Sequence, residues 1–258
     1  MKVIDLLNIG SKKLKHNGIL SHRLDSEIFL SKVLSKKREE IIIDQNDTIK
    51  TEKVSEFDNM IARRANNEPV AYIIKEKEFW SKIFEVNKST LIPRPETELM
   101  VEKLIDIYKR KKISILDIGT GTGCILISLL DELQNSSGIG IDISKKALIV
   151  ANKNAKKHGL KNIKFINVDL SKYFLHKFDL IVSNPPYLDK NTIKNLHDDI
   201  KRYEPLIALN GGNDGLDVIK KVIYKSKYIL KINGKLALEI GNEQYKKVST
   251  ILFKNSFK

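Results

Sequence analysis

Apolar residues recur at helical spacing through the first quarter of the chain. Val3, Ile4, Leu6 and Leu7, with Leu14 two turns on, predict one amphipathic helix. Leu24, Ile28, Val33 and Leu34, opened by Ser21, predict a second, and Val54, Phe57, Met60 and Ile61 give a third, clearer stripe. No strand alternation and no chemical motif interrupt them. Residues 1–70 are therefore expected to form a small helical bundle whose default role is docking. Between 69 and 92 the texture changes: PVAYII and EFWSKIFEVN carry β-branched and aromatic residues in partial alternation, predicting a β-hairpin linker over 71–92. Pro93 and Pro95 in LIPRPETE then stiffen a connection into a helix.

The rest of the chain, 93–258, alternates strands with helices. Strands are predicted at ISILDI (113–118), GIGID (138–142), IKFINV (163–168), FDLIVS (178–183) and KLALEI (235–240). Helical stretches separate them, among them KKALIVANKNAKKHG with Leu148, Ala151 and Ala155 on one side. This order is that of an α/β doubly wound, mainly parallel sheet, which binds ligands beyond the carboxyl ends of its strands.

The length of 258 residues allows one large α/β domain, or one of about 150 to 180 residues with a small partner. Apolar runs such as LIV and ILISLL fall far short of the roughly 20 residues of a membrane span. The N-terminal apolar stretch is too short and too charged for a signal peptide, so a cytoplasmic location is expected. A single cysteine, Cys124, excludes an intramolecular disulfide and a cysteine metal cluster. The histidines show no close helical pairing, so no metal site is expected. The net charge of +14 is carried mostly by lysine, with arginine only at 23, 38, 63, 64, 94, 110 and 202. Phosphate and base recognition favours arginine. Scattered lysine describes a solvated surface, with a basic face for an RNA-containing partner as the alternative.

The chemistry concentrates at the predicted strand ends. The first strand runs into LDIGTGTGC, with Asp117 followed by Gly119, Thr120, Gly121, Thr122 and Gly123. Glycines between strand and helix permit a tight turn and close approach of a ligand to the backbone. The spacing is not that of a dinucleotide fingerprint, and no lysine follows as in a phosphate loop. The second strand ends in Asp142, suited to the two hydroxyls of a ribose. Asp169, beside Leu170, ends the third and is a candidate partner for an adenine amino group. The fourth ends at Asn184 in SNPPY, where two prolines aim a rigid amide out of the sheet. Any one of these alone is more readily a cap or turn residue. Four on one rim behind a glycine loop point to a ligand with a ribose, an adenine and positive charge: S-adenosylmethionine, whose ammonium group Asp117 is expected to face.

LDIGTGTG, GIDIS and NPPY together resemble a class I S-adenosylmethionine-dependent methyltransferase, Rossmann-like, of the type that alkylates planar nitrogens. NPPY also occurs in DNA adenine-N6 methyltransferases. EPVAYI, EFW, LIPRPETE, EPLIALNGGNDGLD and LALEIGNEQ narrow the resemblance to the HemK/PrmC family of protein-(glutamine-N5) methyltransferases. That resemblance implies methylation of the GGQ glutamine of class 1 peptide chain release factors, with no metal, no membrane and no direct sequence-specific nucleic-acid binding. It implies that Asn184 and the Pro185 carbonyl accept the two N–H bonds of the substrate amide. Pro186 would hold that carbonyl, and Tyr187 would pack over the amide. Adenine-N6 methylation of nucleic acid and glutamine methylation of a ribosomal protein are the rival readings. Arg94, Glu96 and Glu98 are expected at the cofactor pocket or in a linker ion pair, Glu204 and Pro205 in a loop over the substrate, and Trp80 in the hairpin core. Two positions depart from the family pattern: Lys75 stands where a glycine is usual, and the chain ends at ILFKNSFK, where two further strands of a seven-stranded sheet are expected. Without them KLALEI would be an exposed apolar edge.

Overall fold

Each of the three N-terminal stripes folds as a helix: α1 (Val3–His16), α2 (His22–Leu34) and α4 (Thr51–Ala65), with the short α3 (Arg38–Ile43) between the last two. The computed structural model describes residues 1–174 and 176–257; Lys258, the last residue of ILFKNSFK, lies outside them. The stripes meet in one core, in which Leu6, Phe29, Leu30, Phe57 and Ile61 are almost fully buried. Burying each such side chain contributes about 1.5–3 kcal/mol. Beside it the buried Arg64 guanidinium donates to Asp25 at 2.7 Å.

PVAYII is not a strand but a short helix, α5 (Val70–Ile74). Pro69 opens it: Tyr72 N and Ile73 N both donate to its carbonyl, and a proline at a helix start forfeits no intrahelical donor. Burial of Ile73 against the helical core, with Val70 and Ile74 packed beside it, overrides the β-branched composition. The helix stops at Lys75, whose φ of 60° and ψ of 24° are left-handed. This is the conformation in which glycine is usual at a helix end.

The hairpin is therefore shorter than the sequence predicts: β1 (Glu76–Phe79) pairs antiparallel with β2 (Lys82–Glu85). Trp80 and Ser81 between them have φ of 52° and 54°. Positive φ at both central residues is the hairpin turn that matches strand twist. Two compact units divide the chain: residues 1–75 with 198–203, and residues 76–197 with 204–258.

In the second unit α6 (Thr97–Tyr108) precedes β3 (Ser114–Ile118), α7 (Cys124–Glu132), β4 (Ser137–Asp142), α8 (Lys145–Lys157), β5 (Ile163–Asn167) and β6 (Phe178–Ser183). After α9 (Lys190–Lys194) comes α10 (Asp198–Tyr203), which counts with the helical unit; there the Tyr203 hydroxyl donates to Asn66 O at 2.8 Å. Then follow α11 (Asp217–Ile229), β7 (Leu230–Leu238) and α12 (Tyr245–Lys254). The five strands are all parallel, in the order β5-β4-β3-β6-β7. From β3 the chain builds outward through β4 to β5, then returns to place β6 on the other side of β3. That reversal opens a crevice at the carboxyl ends of β3 and β6, where such sheets bind ligands. β7 is an edge strand of this sheet, with Leu236 and Leu238 half-buried and α12 packed through Val248 onto the Leu216, Ile219 and Ile223 face of α11.

A cavity at the carboxyl ends of the strands

A cavity of about 550 Å³ opens at the predicted rim. Its lining includes Gly119 to Thr122 after β3, Asp142 and Ile143 after β4, and Val168 to Leu170 after β5. Asn184, Pro185 and Pro186 after β6 and Pro205 to Ala208 complete the wall.

The glycine loop is built by backbone geometry. Gly119 and Gly121 have φ of 73° and 55°, and a Cβ on Gly119 would meet nothing within 4 Å. The left-handed backbone, not crowding by the protein, requires glycine there, and the loop presents bare peptide to the cavity. Gly123 is different: it caps α7, and a Cβ there would stand 3.0 Å from Ile127 and 3.3 Å from Phe165. It permits helix packing and is not among the cavity-lining residues.

Asp142 clamps the loop. Its Oδ2 accepts from Gly121 N at 3.0 Å and its Oδ1 from Ser144 N at 2.8 Å, the latter opening α8. Burial raises its carboxyl above the ordinary value, and these bonds pull it back. Asp169 accepts from Ser171 N and Oγ, which holds its carboxyl below the ordinary value while it remains exposed on the rim.

Asp117 stands elsewhere than expected. It is 1% exposed, and the cavity wall does not include it. One oxygen accepts from Thr120 Oγ1 at 2.6 Å, whereas Oδ1 is buried without a hydrogen-bond partner. Burial, then the charge of Asp142, pushes this carboxyl up to about 7, against the pull of the Thr120 hydroxyl. It lies behind the glycine loop because it points from within β3, one residue before the strand ends. The adjacent Cys124 thiol, at the start of α7, is pushed up to about 12 by burial and packs in the apolar core.

The NPPY segment is held from below. Leu188 N donates to Leu209 O, and Gly211 N to Leu188 O. Gln244 Nε2 donates to Tyr187 O at 2.9 Å. A Cβ on Gly215 would stand 2.3 Å from Tyr187 O and one on Gly211 2.8 Å from Pro186 O, so these two glycines of NGGNDG serve close approach to NPPY. Tyr187 does not line the cavity: its ring packs against the Leu216, Ile219 and Ile223 cluster, and its hydroxyl lies beside Glu239. Asn184 Nδ2 lies 3.4 Å from Thr97 Oγ1, and Thr97 Oγ1 donates to Glu239 Oε2 at 2.6 Å. Arg94, on the wall, pairs with the buried Glu204 at 2.5 Å, and Glu204 also accepts from Ile92 N.

Sequence reasoning missed Glu239, Thr97 and Asn154. Glu239 follows β7, a fifth strand end on the same rim, and lies within LALEIG. Asn154, fully buried on α8, accepts from Glu85 N and donates to Glu85 O and Thr122 O, tying the hairpin to the glycine loop. Its periodic position among alanines marks it only as helical. Trp80 sits at the hairpin turn, where its backbone N donates to Glu98 on α6 and its indole N–H to Glu132 on α7.

The residues present fit S-adenosylmethionine. An unpartnered buried carboxylate oxygen behind a loop of bare peptide suits a ligand carrying positive charge. The loop 119–122, Asp142, Asp169 and Leu170 would hold it. Among the described residues no group of three metal-ligating side chains occurs, and no helix is long and apolar enough to cross a membrane.

Comparison with known proteins agrees along the whole chain. Residues 109–250 match the family described as methyltransferase domain, and residues 5–74 the PrmC N-terminal domain. A release factor glutamine methyltransferase of Buchnera aphidicola subsp. Baizongia pistaciae is 42% identical over 260 aligned positions, covering 100% of this chain and 92% of that protein. Another, from Fusobacterium nucleatum, is 38% identical, covering 98% and 73%. Among solved structures, a methyltransferase from Pyrococcus furiosus shares the fold, with a TM-score of 0.52 at 18% identity, covering 76% of this chain and 86% of that one. This chain belongs to the release factor glutamine methyltransferases, a family of S-adenosylmethionine-dependent enzymes.

Proposed function

We propose that this chain methylates the side-chain amide nitrogen of the glutamine in the GGQ loop of class 1 peptide chain release factors, in the cytoplasm. The observation that carries the reading is the placement of Asn184, Pro185 and Pro186 on the cavity wall beside the glycine loop, at the crevice between β3 and β6. The match of residues 5–74 to the PrmC N-terminal domain favours a release factor over nucleic acid or a ribosomal protein. The helical unit is assigned the docking of that factor.

An amide nitrogen is a poor nucleophile because its lone pair is delocalised into the carbonyl. S-adenosylmethionine supplies an electrophilic sulfonium methyl when bound. The protein's task is to orient the nitrogen, a contribution worth several kcal/mol, of the order of 7–11 at its fullest. Asn184 Oδ1 accepts one N–H of the substrate amide and the Pro185 carbonyl the other, so that density builds on nitrogen as it leaves planarity. Pro186 restrains the Pro185 backbone to one extended direction. No side chain need remove a proton beforehand, because the nitrogen that has taken the methyl still carries both hydrogens and a positive charge, and gives one proton up to water.

The test offers labelled S-adenosylmethionine with a release factor, its GGQ-to-GGA mutant, a ribosomal protein and DNA, each separately. Label is expected on the wild-type factor alone. Label on DNA, or equal label on the GGA factor, overturns the reading.

A further inference from the structure

We propose that Glu239, acting with Thr97, is the positioning residue that fixes the amide of Asn184, turning its NH₂ inward and leaving its carbonyl oxygen for the substrate. This rests on the reading of Asn184 given above. A primary amide end-for-end is nearly the same shape, so packing alone does not choose which end faces the cavity. A side chain offering its NH₂ to the cavity would repel the substrate's own N–H bonds. Something must therefore hold the donor end back.

Glu239 is placed to do so. It follows β7, which lies beside β6, and its backbone N donates to Ser183 O at 3.0 Å, so strand pairing sets it next to Asn184. Its carboxylate accepts from Thr97 Oγ1 at 2.6 Å, and the Asn184 side chain and the Tyr187 hydroxyl stand beside it. The Thr97 hydroxyl, donating to Glu239, has its own lone pairs free for Asn184 Nδ2 at 3.4 Å. The donor end of Asn184 thus faces the Thr97 hydroxyl with the Glu239 carboxylate beside it, and Oδ1 is the end left over. A carboxylate only accepts, which makes the choice one-sided.

The arrangement also accounts for the two polar residues of NPPY. Asn184 and Tyr187, at either end of the proline pair, stand beside the same carboxylate. The prolines stiffen the segment, and Glu239 fixes its rotation from the neighbouring strand. Burial pushes the Glu239 carboxyl up, and the Thr97 hydroxyl and then the Asn184 amide pull it back, as expected for a desolvated acceptor whose polar neighbours replace water. Arg94, Glu96 and the neutral Cys124 thiol are the other charged or titratable groups near it.

The test measures kcat, KM for the release factor and Kd for S-adenosylmethionine in Glu239→Gln, Thr97→Val, Thr97→Ser and Asn184→Ala. Glu239→Gln and Thr97→Val are expected to lower kcat about tenfold or more, as misplaced reacting groups do, with the cofactor Kd within a fewfold of wild type. Thr97→Ser, which keeps the hydroxyl, should recover most of what Thr97→Val loses. If Asn184→Ala is inactive while Glu239→Gln and Thr97→Val turn over like wild type, the positioning role is wrong and the reading of Asn184 stands. Parallel loss of kcat and cofactor affinity in Thr97→Val, without recovery in Thr97→Ser, also overturns it by revealing a purely structural role. An active Asn184→Ala overturns the reading beneath it. Should Glu239→Gln not fold, the two Thr97 variants decide alone.

Discussion

Asn184 and Asp117 carry opposite lessons at the scale of single residues. Asn184 was legible because its neighbours are prolines, which cannot extend a ladder and so announce a rigid exit from the sheet. We expect Asn184→Ala to abolish turnover while leaving cofactor affinity within a fewfold, measured by single-turnover transfer and equilibrium binding; equal loss of both would contradict an orienting role. Asp117 was legible as a strand-end carboxylate, but not its depth, because one residue of register separates the cavity wall from the core. Its carboxyl, near 4 in an unfolded chain, is pushed up to about 7 in the fold by burial. Between those values the native state holds a proton that the unfolded state has lost, so this residue's contribution to stability falls as pH rises from about 4 to about 7 and is level above. In the cofactor-free protein, Asp117→Asn should therefore gain on wild type in denaturant midpoint across that window. Parallel pH curves for the two proteins would refute this.

At the scale of elements, patterning identified long segments and failed at short ones. The three long N-terminal stripes and all five parallel strands follow from periods of 3.6 residues and from buried apolar runs. α5 did not, because five residues hold little more than one turn and Pro69 with the helical core decides its conformation. Lys75, remarked only as a family departure, caps that helix with φ of 60°. A side chain pays roughly 1–2 kcal/mol for left-handed backbone, offset in part by the 0.5–1 kcal/mol entropic cost of glycine. Lys75→Gly is therefore expected to be neutral or to stabilise by up to about 1 kcal/mol in chemical denaturation; destabilisation would contradict the strain assignment. Asn154→Ala strips partners from the Glu85 N–H and the Thr122 carbonyl. It should cost about 1–3 kcal/mol, the penalty of unsatisfied buried groups, and an unchanged midpoint would show that the hairpin does not depend on this tie.

For the whole molecule, the parallel sheet and its reversal between β3 and β6 decide where chemistry can occur, and the strand ends decide which chemistry. Asp142, Asp169 and Asn184 line one cavity as their strand-end positions implied. Glu239 escaped notice although it stands in LALEIGNEQ, because nothing along the chain ties that carboxylate to Asn184; its significance exists only once β7 lies beside β6. Tyr187 was expected over the substrate amide from the family resemblance; in the fold its ring closes the core under NPPY. The most direct test of the account incubates the intact protein with S-adenosylmethionine and a class 1 release factor and locates the transferred methyl group by peptide fragmentation. The account predicts a single methyl on the side-chain nitrogen of the GGQ glutamine. A methyl on any other residue, or an unmodified factor beside methylated adenine in DNA, would contradict it.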